Sequence, residues 1–427
     1  MTEQKPEENF DPYEFEKMEI DGVPLYWKNL PWAPCIHVQV IFNTGAFDDP
    51  VGLEGLSHFL EHMIFDGSPT LPTKKDITEW SKTYALNTWN AWTSNYNTVY
   101  HLECLPENFD TILVGMKDMI FHSLLKPEDV EHERSVITQE AWGRLQNEKF
   151  LTYVKGVADV LYHGHEHARF YSPLGWPDTI SKFSHADVVK WHAEKYARGN
   201  FSIVVAGNMT DTHLEKFSNF VCDIPLQNTE SHAEGSIGKP KQNKITKRAD
   251  EIGEVKEQVE ITYMRVLGAL PRESHETIFI FRQLLKDILF ERLRTERALC
   301  YGIRITTWLE KDYSEFGATL LTDEKNIDIV ETEFRKAISE IVDGKHIERF
   351  NGMKKLGIDQ VRSDELVSED LVARAVRVIT RHNGEMKSLK TRLQEMEAVT
   401  YADVATLTQK AFDPEYTLTE IILPSKK

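Results

Sequence analysis

The sequence predicts an α+β fold of two similar domains, each a mostly antiparallel sheet covered by helices. Three observations lead there. The chain has 427 residues, enough for two domains with proper cores. A polar stretch carrying Pro, Gly and Lys, from Pro225 to Lys244, reads as a linker between halves. Each half also ends alike: the runs Asn200 to Gly207 and Thr417 to Pro424 read as buried strands, each after a helical stretch ending near Tyr196 or Ala411. The expected spans are 1–224, a linker over 225–244, and 245–427.

Taken from the N-terminus, Met1 to Phe10 holds neither an apolar h-region nor an Arg-rich amphipathic pattern, so no signal or transit peptide is read there. No apolar run is long enough to span a membrane. Cys35, Cys104, Cys222 and Cys300 lie far apart and form no C-x-x-C, which suits buried thiols in a reducing compartment. The expected setting is the cytoplasm. With 68 acidic against 50 basic residues the formal charge is -18, which argues against a nucleic-acid partner.

Ile36 to Phe42 alternates as a strand, and Thr44 to Pro50 turns towards a helix opening at Gly55-Leu56-Ser57. His58-Phe59-Leu60-Glu61-His62 lies on that helix. Residues four apart share a helical face, so His58 and His62 can close on one ion. Glu61 stands close enough to hold a metal-bound water without being a ligand, and zinc brings the pKa of such a water to about 7. The order H-x-x-E-H marks the inverted zinc peptidases. Leu56, Phe59, Leu60, Met63 and Ile64 make the helix largely internal, where two imidazoles and a carboxylate are costly unless a metal satisfies them. The alternative is a pair of core or surface histidines flanking a glutamate.

Asn87 to Thr93 and Thr98 to Glu103 read as two strands around a turn over Ser94 to Asn97. Pro127 to Glu140 reads as a helix after an N-terminal proline. On it Glu133 and Glu140 are two turns apart along one face, with Val136 and Ile137 packing the neighbouring stripe. Two carboxylates aimed the same way suit a metal ligand and an outer partner; a solvated acidic helix is the plain alternative. His163-Gly164-His165-Glu166-His167 also satisfies H-x-x-E-H, but Gly164 and the flank Arg169 to Gly175 are loop chemistry, either solvated or scavenging metal. At similar distance beyond it lies only the Lys-rich stretch around Lys239 to Lys247.

With Glu133 and Glu140 added to the first motif, the chain resembles the pitrilysin/insulinase family of zinc metallopeptidases, which includes mitochondrial processing peptidases and two-domain bacterial relatives. The family pairs H-x-x-E-H with a later E-x-x-x-x-x-x-E helix. The resemblance implies that His58, His62 and Glu140 bind one Zn2+ per chain, that Glu61 is the general base and that Glu133 is the outer glutamate. It implies a chain forming half of a clamshell. In the family the asparagine of an N-A-x-T strand touches an extended substrate, which here places Asn90 and Ala91 at the peptide; the alternative is that Asn90 serves only the turn. The glycine usual shortly before that strand is missing from Lys82 to Leu86.

Leu293-Arg294 through Leu299-Cys300-Tyr301 resembles the family's L-R-x-x-x-x-L-x-Y element, whose arginine and tyrosine contact the substrate from the opposite half of the clamshell. Arg294 and Tyr301 would then act on a partner's site, so the resemblance implies a homodimer or a heterodimer with a related subunit. The alternative is a helix-end salt bridge and a core tyrosine. The activity implied is zinc-dependent endoproteolysis of peptides or unfolded segments held extended in an enclosed chamber. The rival is a non-catalytic assembly subunit, against which the complete zinc motif counts.

Overall fold

The computed structural model describes residues 11, 14–87, 89–163, 165–169, 172–227, 238–271, 274–363, 368–382, 384 and 386–426. Two sheets with separate apolar cores make two compact units. The first holds β1 (Glu16–Ile20), β2 (Val23–Asn29), β3 (Ile36–Phe42), β4 (Asn90–Thr93), β5 (Thr98–Cys104) and β6 (Phe201–Gly207), in the order β1-β2-β6-β3-β5-β4. The second holds β7 (Lys244–Arg248), β8 (Val259–Gly268), β9 (Ile303–Leu309), β10 (Tyr313–Thr322) and β11 (Leu418–Leu423), in the order β7-β11-β8-β10-β9. Neighbours are antiparallel except β2 with β6 and β7 with β11. Thus β7-β11-β8-β10-β9 repeats β2-β6-β3-β5-β4 in order and direction. The strands at Asn200–Gly207 and Thr417–Pro424, expected from sequence as counterparts, are β6 and β11 and hold the same place.

In the first unit, helices α1 (Leu56–Met63), α2 (Lys74–Tyr84), α3 (Phe109–Phe121) and α4 (Pro127–Leu145) pack on one sheet face. Val38, Val40 and Phe42 point into that core, whereas Ile41 faces the other side, as the two-residue period of a strand requires. α5 (Glu148–Leu161) belongs to the second unit. α6 (Pro177–Ile180), α7 (His185–Lys195) and α8 (Asp211–Val221) complete the first core. The second core packs its sheet against α9 (Ser274–Leu289), α10 (Ile327–Val342) and α11 (Ile347–Ser363), while α12 (Ser368–His382) returns to the first unit. α13 (Leu389–Ala398) and α14 (Tyr401–Ala411) close the second core.

The units therefore differ from the expected contiguous spans 1–224 and 245–427. One comprises 1–144, 172–233 and 365–388; the other 145–171, 234–364 and 389–427. The reason is that the first sheet is apolar on both faces, and the second meets α5 beside β11. In the first unit Leu371, Val372, Ala375 and Val376 of α12 cover Tyr26, Ile41, Val99 and Val204 on the face away from α1. In the second, Tyr153 of α5 packs on Ala249, Ile252 and Ile422. Each sheet borrows one helix from the other half of the sequence. Residues 228–237 of the expected linker lie outside the described residues, and its last residue, Lys244, opens β7.

One expected strand starts late. Asn87 is not in β4; its Oδ1 accepts from the Glu103 amide at 2.9 Å, which replaces the ladder, and Thr88 lies outside the described residues.

Helix α1 sets the site and has an unusual start. Its N-cap, Gly55, sits at φ +100° and offers no capping side chain. Asp49 caps it from a distance, accepting from the Gly55 and Ser57 amides at 2.7 and 2.8 Å and from Ser57 Oγ at 2.7 Å. Burial pushes the Asp49 carboxyl up to about 8, while the Ser57 hydroxyl and the Gly55 and Ser57 amides pull it back. A Cβ on Gly55 would stand 2.5 Å from Leu174 O and 2.8 Å from Gly175 Cα. With backbone on one side and a left-handed φ on the other, no substituent fits. Gly55→Ala is expected to destabilise the first unit by about 2 kcal/mol or more, read from urea unfolding.

Candidate metal centre

The two histidines of α1 are fixed by different means. His58 is buried, and its Nδ1 has no hydrogen-bond partner among the described residues, so packing alone orients it. His62 gives its Nδ1 to Glu133 Oε2 at 3.0 Å. That contact makes Nδ1 the donor and leaves the Nε2 lone pair pointing inward. Glu133 is fully buried on α4. Burial opposes its charge, but the bonds from His62 and Lys74 prevail and hold its carboxyl down to about 2.

Glu140, two turns along α4, faces both rings. Its Oε2 lies 3.8 Å from His58 Nε2 and 3.7 Å from His62 Nε2, while Arg144 Nη2 holds Oε1 at 3.2 Å. One ligand atom from each of the three residues lies within 4.8 Å of the others. A tetrahedral zinc with bonds near 2.1 Å separates its ligands by about 3.4 Å, so the two distances from Glu140 to the histidines are already within tenths of an ångström of that spacing. Two neutral-capable imidazoles and a carboxylate suit that ion in kind as well. Among the described residues this is the one such group of three donors. The solvated-acidic-helix alternative fails for Glu133, although Val136 is exposed and only Ile137 packs.

Burial forces the imidazole of His58 down to about 3, with His62 adding to the effect. Burial likewise lowers His62, but Glu133, Glu61 and Glu140 outweigh it and raise it. Glu61 is buried next to them; burial pushes its carboxyl up to about 6, against a hydrogen bond from Thr93 Oγ1 on β4. It is thus held at the site, close to a neutral-pH proton acceptor.

β4 is an edge strand. Asn90 is exposed there and its Oδ1 accepts from the Ala91 amide at 3.0 Å, whereas the following turn is closed by Ser94 and Asn97. Asn90 does not serve that turn.

Among the described residues the second histidine motif forms no group of three ligands, and it is not simply solvated. His167 is buried, 3.4 Å from Asp312 Oδ2 and packed on Tyr313, while His163 is exposed and Gly164 lies outside the described residues. Arg294 and Tyr301 belong to the second unit and meet each other. The guanidinium lies 4.8 Å from the centre of the Tyr301 ring and donates to Cys300 O at 3.4 Å. Tyr301 is 83% exposed, so it is no core tyrosine. Arg294 lies on a π-helical turn, Phe290–Thr295, clamped by Arg292 and Arg297 on the buried Glu333 at 3.2 and 2.7 Å. Sequence reading missed Lys74 and Arg144, which carry no motif of their own, and gave no role to Thr93, the last residue of the N-A-x-T strand.

Residues 27–153 match the model of the insulinase family, peptidase family M16, and residues 182–354 match that of the M16 inactive domain. The chain belongs to the M16 insulinase family of peptidases. An uncharacterized zinc protease of Rickettsia bellii is 28% identical over 201 residues, which is 46% of this chain and 46% of that protein. The match thus spans about half the length of that relative. The fold matches a protease from Helicobacter pylori with a TM-score of 0.79 at 17% identity, covering 97% of this chain and 100% of that one. It also matches a chain of complex III2 from Candida albicans, with a TM-score of 0.73 at 11% identity and 95% of each chain covered. No described helix is long and apolar enough to cross a membrane.

Zinc at a hundredfold excess over its Kd should stabilise the first unit by about 2.7 kcal/mol in urea unfolding. EDTA should abolish the gain, and His58→Ala should not show it.

Proposed function

We propose that the chain is a zinc-dependent endopeptidase acting on peptides or unfolded segments. The convergence of His58, His62 and Glu140 beside the buried Glu61 carries this reading. His58, His62 and Glu140 would hold the ion, which when bound polarises a peptide carbonyl and acidifies a water. Glu61 takes a proton from the attacking water and hands it to the leaving amine. Thr93 aims the Glu61 carboxylate, and Glu133 keeps His62 in the tautomer whose Nε2 faces inward. An extended peptide would add to the free edge of β4 beside Asn90 and Ala91, where backbone bonds require no particular side chains.

The exposed Arg294/Tyr301 pair suits a developing oxyanion, and we assign it to the site of a second copy or a related subunit. The assembly-subunit reading has in its favour the match of residues 182–354 to the inactive-domain model and the likeness to a complex III2 chain, while the donor set of the first unit is intact.

Glu61→Gln should retain one zinc per chain by elemental analysis and cut cleavage of a quenched peptide pool by about 10²- to 10⁴-fold. Undiminished cleavage ends the general-base assignment. Tyr301→Phe should also lose activity, and mixing it with Glu61→Gln should restore cleavage above either alone; no gain on mixing would place the pair outside a shared site.

A further inference from the structure

The Glu133 carboxylate has two oxygens and, among the described residues, two hydrogen-bond partners. His62 Nδ1 meets Oε2 at 3.0 Å and Lys74 Nζ meets Oε1 at 2.8 Å. The same ammonium lies 3.3 Å from Oδ1 of Asp66, itself buried. A Lys–Glu pair at the surface is ordinarily a weak contributor. This one differs because the amine reaches in from solvent and joins two carboxylates that have left it.

The reach of Lys74 is itself fixed. It is the first residue of α2, and that helix start is locked by a capping box: the Thr73 amide donates to Asp76 Oδ2 at 3.1 Å and the Asp76 amide to Thr73 Oγ1 at 3.2 Å. Lys126 Nζ adds a bond to Pro72 O at 2.7 Å. The lysine, the buried glutamate and the metal-facing histidine therefore form one line across α2, α4 and α1.

We propose that Lys74 is a positioning residue of the metal centre, holding Glu133 in the rotamer that orients His62. This rests on the reading of His58, His62 and Glu140 as the zinc ligands. With Lys74 gone, Oε1 loses its partner and the carboxylate is free to turn from the imidazole. His62 is then as loosely directed as His58, and zinc is bound less tightly.

The test is zinc affinity of the metal-free full chain, measured in competition with a chromophoric chelator, with an unfolding midpoint taken for each protein. Lys74→Met should weaken zinc by about 10- to 100-fold, and Lys74→Arg should recover part of the loss. In a Glu133→Gln background Lys74→Met should cost nothing further, because the lysine acts through that carboxylate. A merely structural lysine would instead lower the zinc-free midpoint and weaken zinc equally in both backgrounds, which overturns the proposal. Lys74→Gln replaces Lys74→Met should the latter not fold. His58→Ala separates the two readings. Unchanged zinc affinity in His58→Ala overturns the ligand assignment, and Lys74 with it. Loss there with affinity unchanged within twofold in Lys74→Met overturns Lys74 alone.

Discussion

The first unit is arranged around one demand: an eight-residue helix must be buried while three of its polar side chains face one point. α1 places Leu56, Phe59, Leu60 and Met63 in the core, yet His58, Glu61 and His62 cannot join them without partners. So short a helix has little internal hydrogen bonding to hold it. Its stability comes from its surroundings. Asp49 binds its free amides, Trp191 Nε1 donates to Ser57 Oγ at 3.1 Å, and Gly55 lets the chain pass against Leu174 and Gly175.

The same demand explains the crowding of carboxylates. Glu61, Glu133, Glu140 and Asp66 gather near two imidazoles, with Lys74 and Arg144 as the cations paired to them among the described residues. Burial raises Glu61 and Asp66, each to about 6, and neighbouring carboxylates add to it, Glu140 for Glu61 and Glu133 for Asp66. Under the proposed function, a divalent cation between His58, His62 and Glu140 would offset this cluster of acid, and Lys74 offsets it one layer out.

Much of this was legible in the sequence, for physical reasons. The spacing of His58 and His62, and of Glu133 and Glu140, is helical, so local geometry alone put each pair on one face. The strand Ile36–Phe42 declared itself by alternation, and the run Asn200 to Gly207 by its apolar content. What stayed hidden was non-local. Lys74, Thr93 and Arg144 matter through contacts made only after three helices and a strand assemble. The exchange of α5 and α12 was hidden too, since an amphipathic helix shows that it covers a surface but not whose. The second H-x-x-E-H was set aside in the sequence as loop chemistry, and what stayed hidden there was burial: His167 is committed to Asp312 and Tyr313.

The strand-for-strand repeat shows what the second unit gave up. β8 stands where β3 stands and β9 where β4 does, so the chain between β8 and β9 occupies the place of α1 and α2. There α9 buries Ile278, Phe281, Leu284, Leu285 and Ile288, a face with no room for ligands. On the π-helical turn that follows, Arg292 pairs with Glu333, which Arg297 also meets. Arg294 is left to stack on an exposed Tyr301. One scaffold therefore presents two sets of side chains from matching positions: a buried candidate metal centre in one unit, and an exposed cation and phenol in the other.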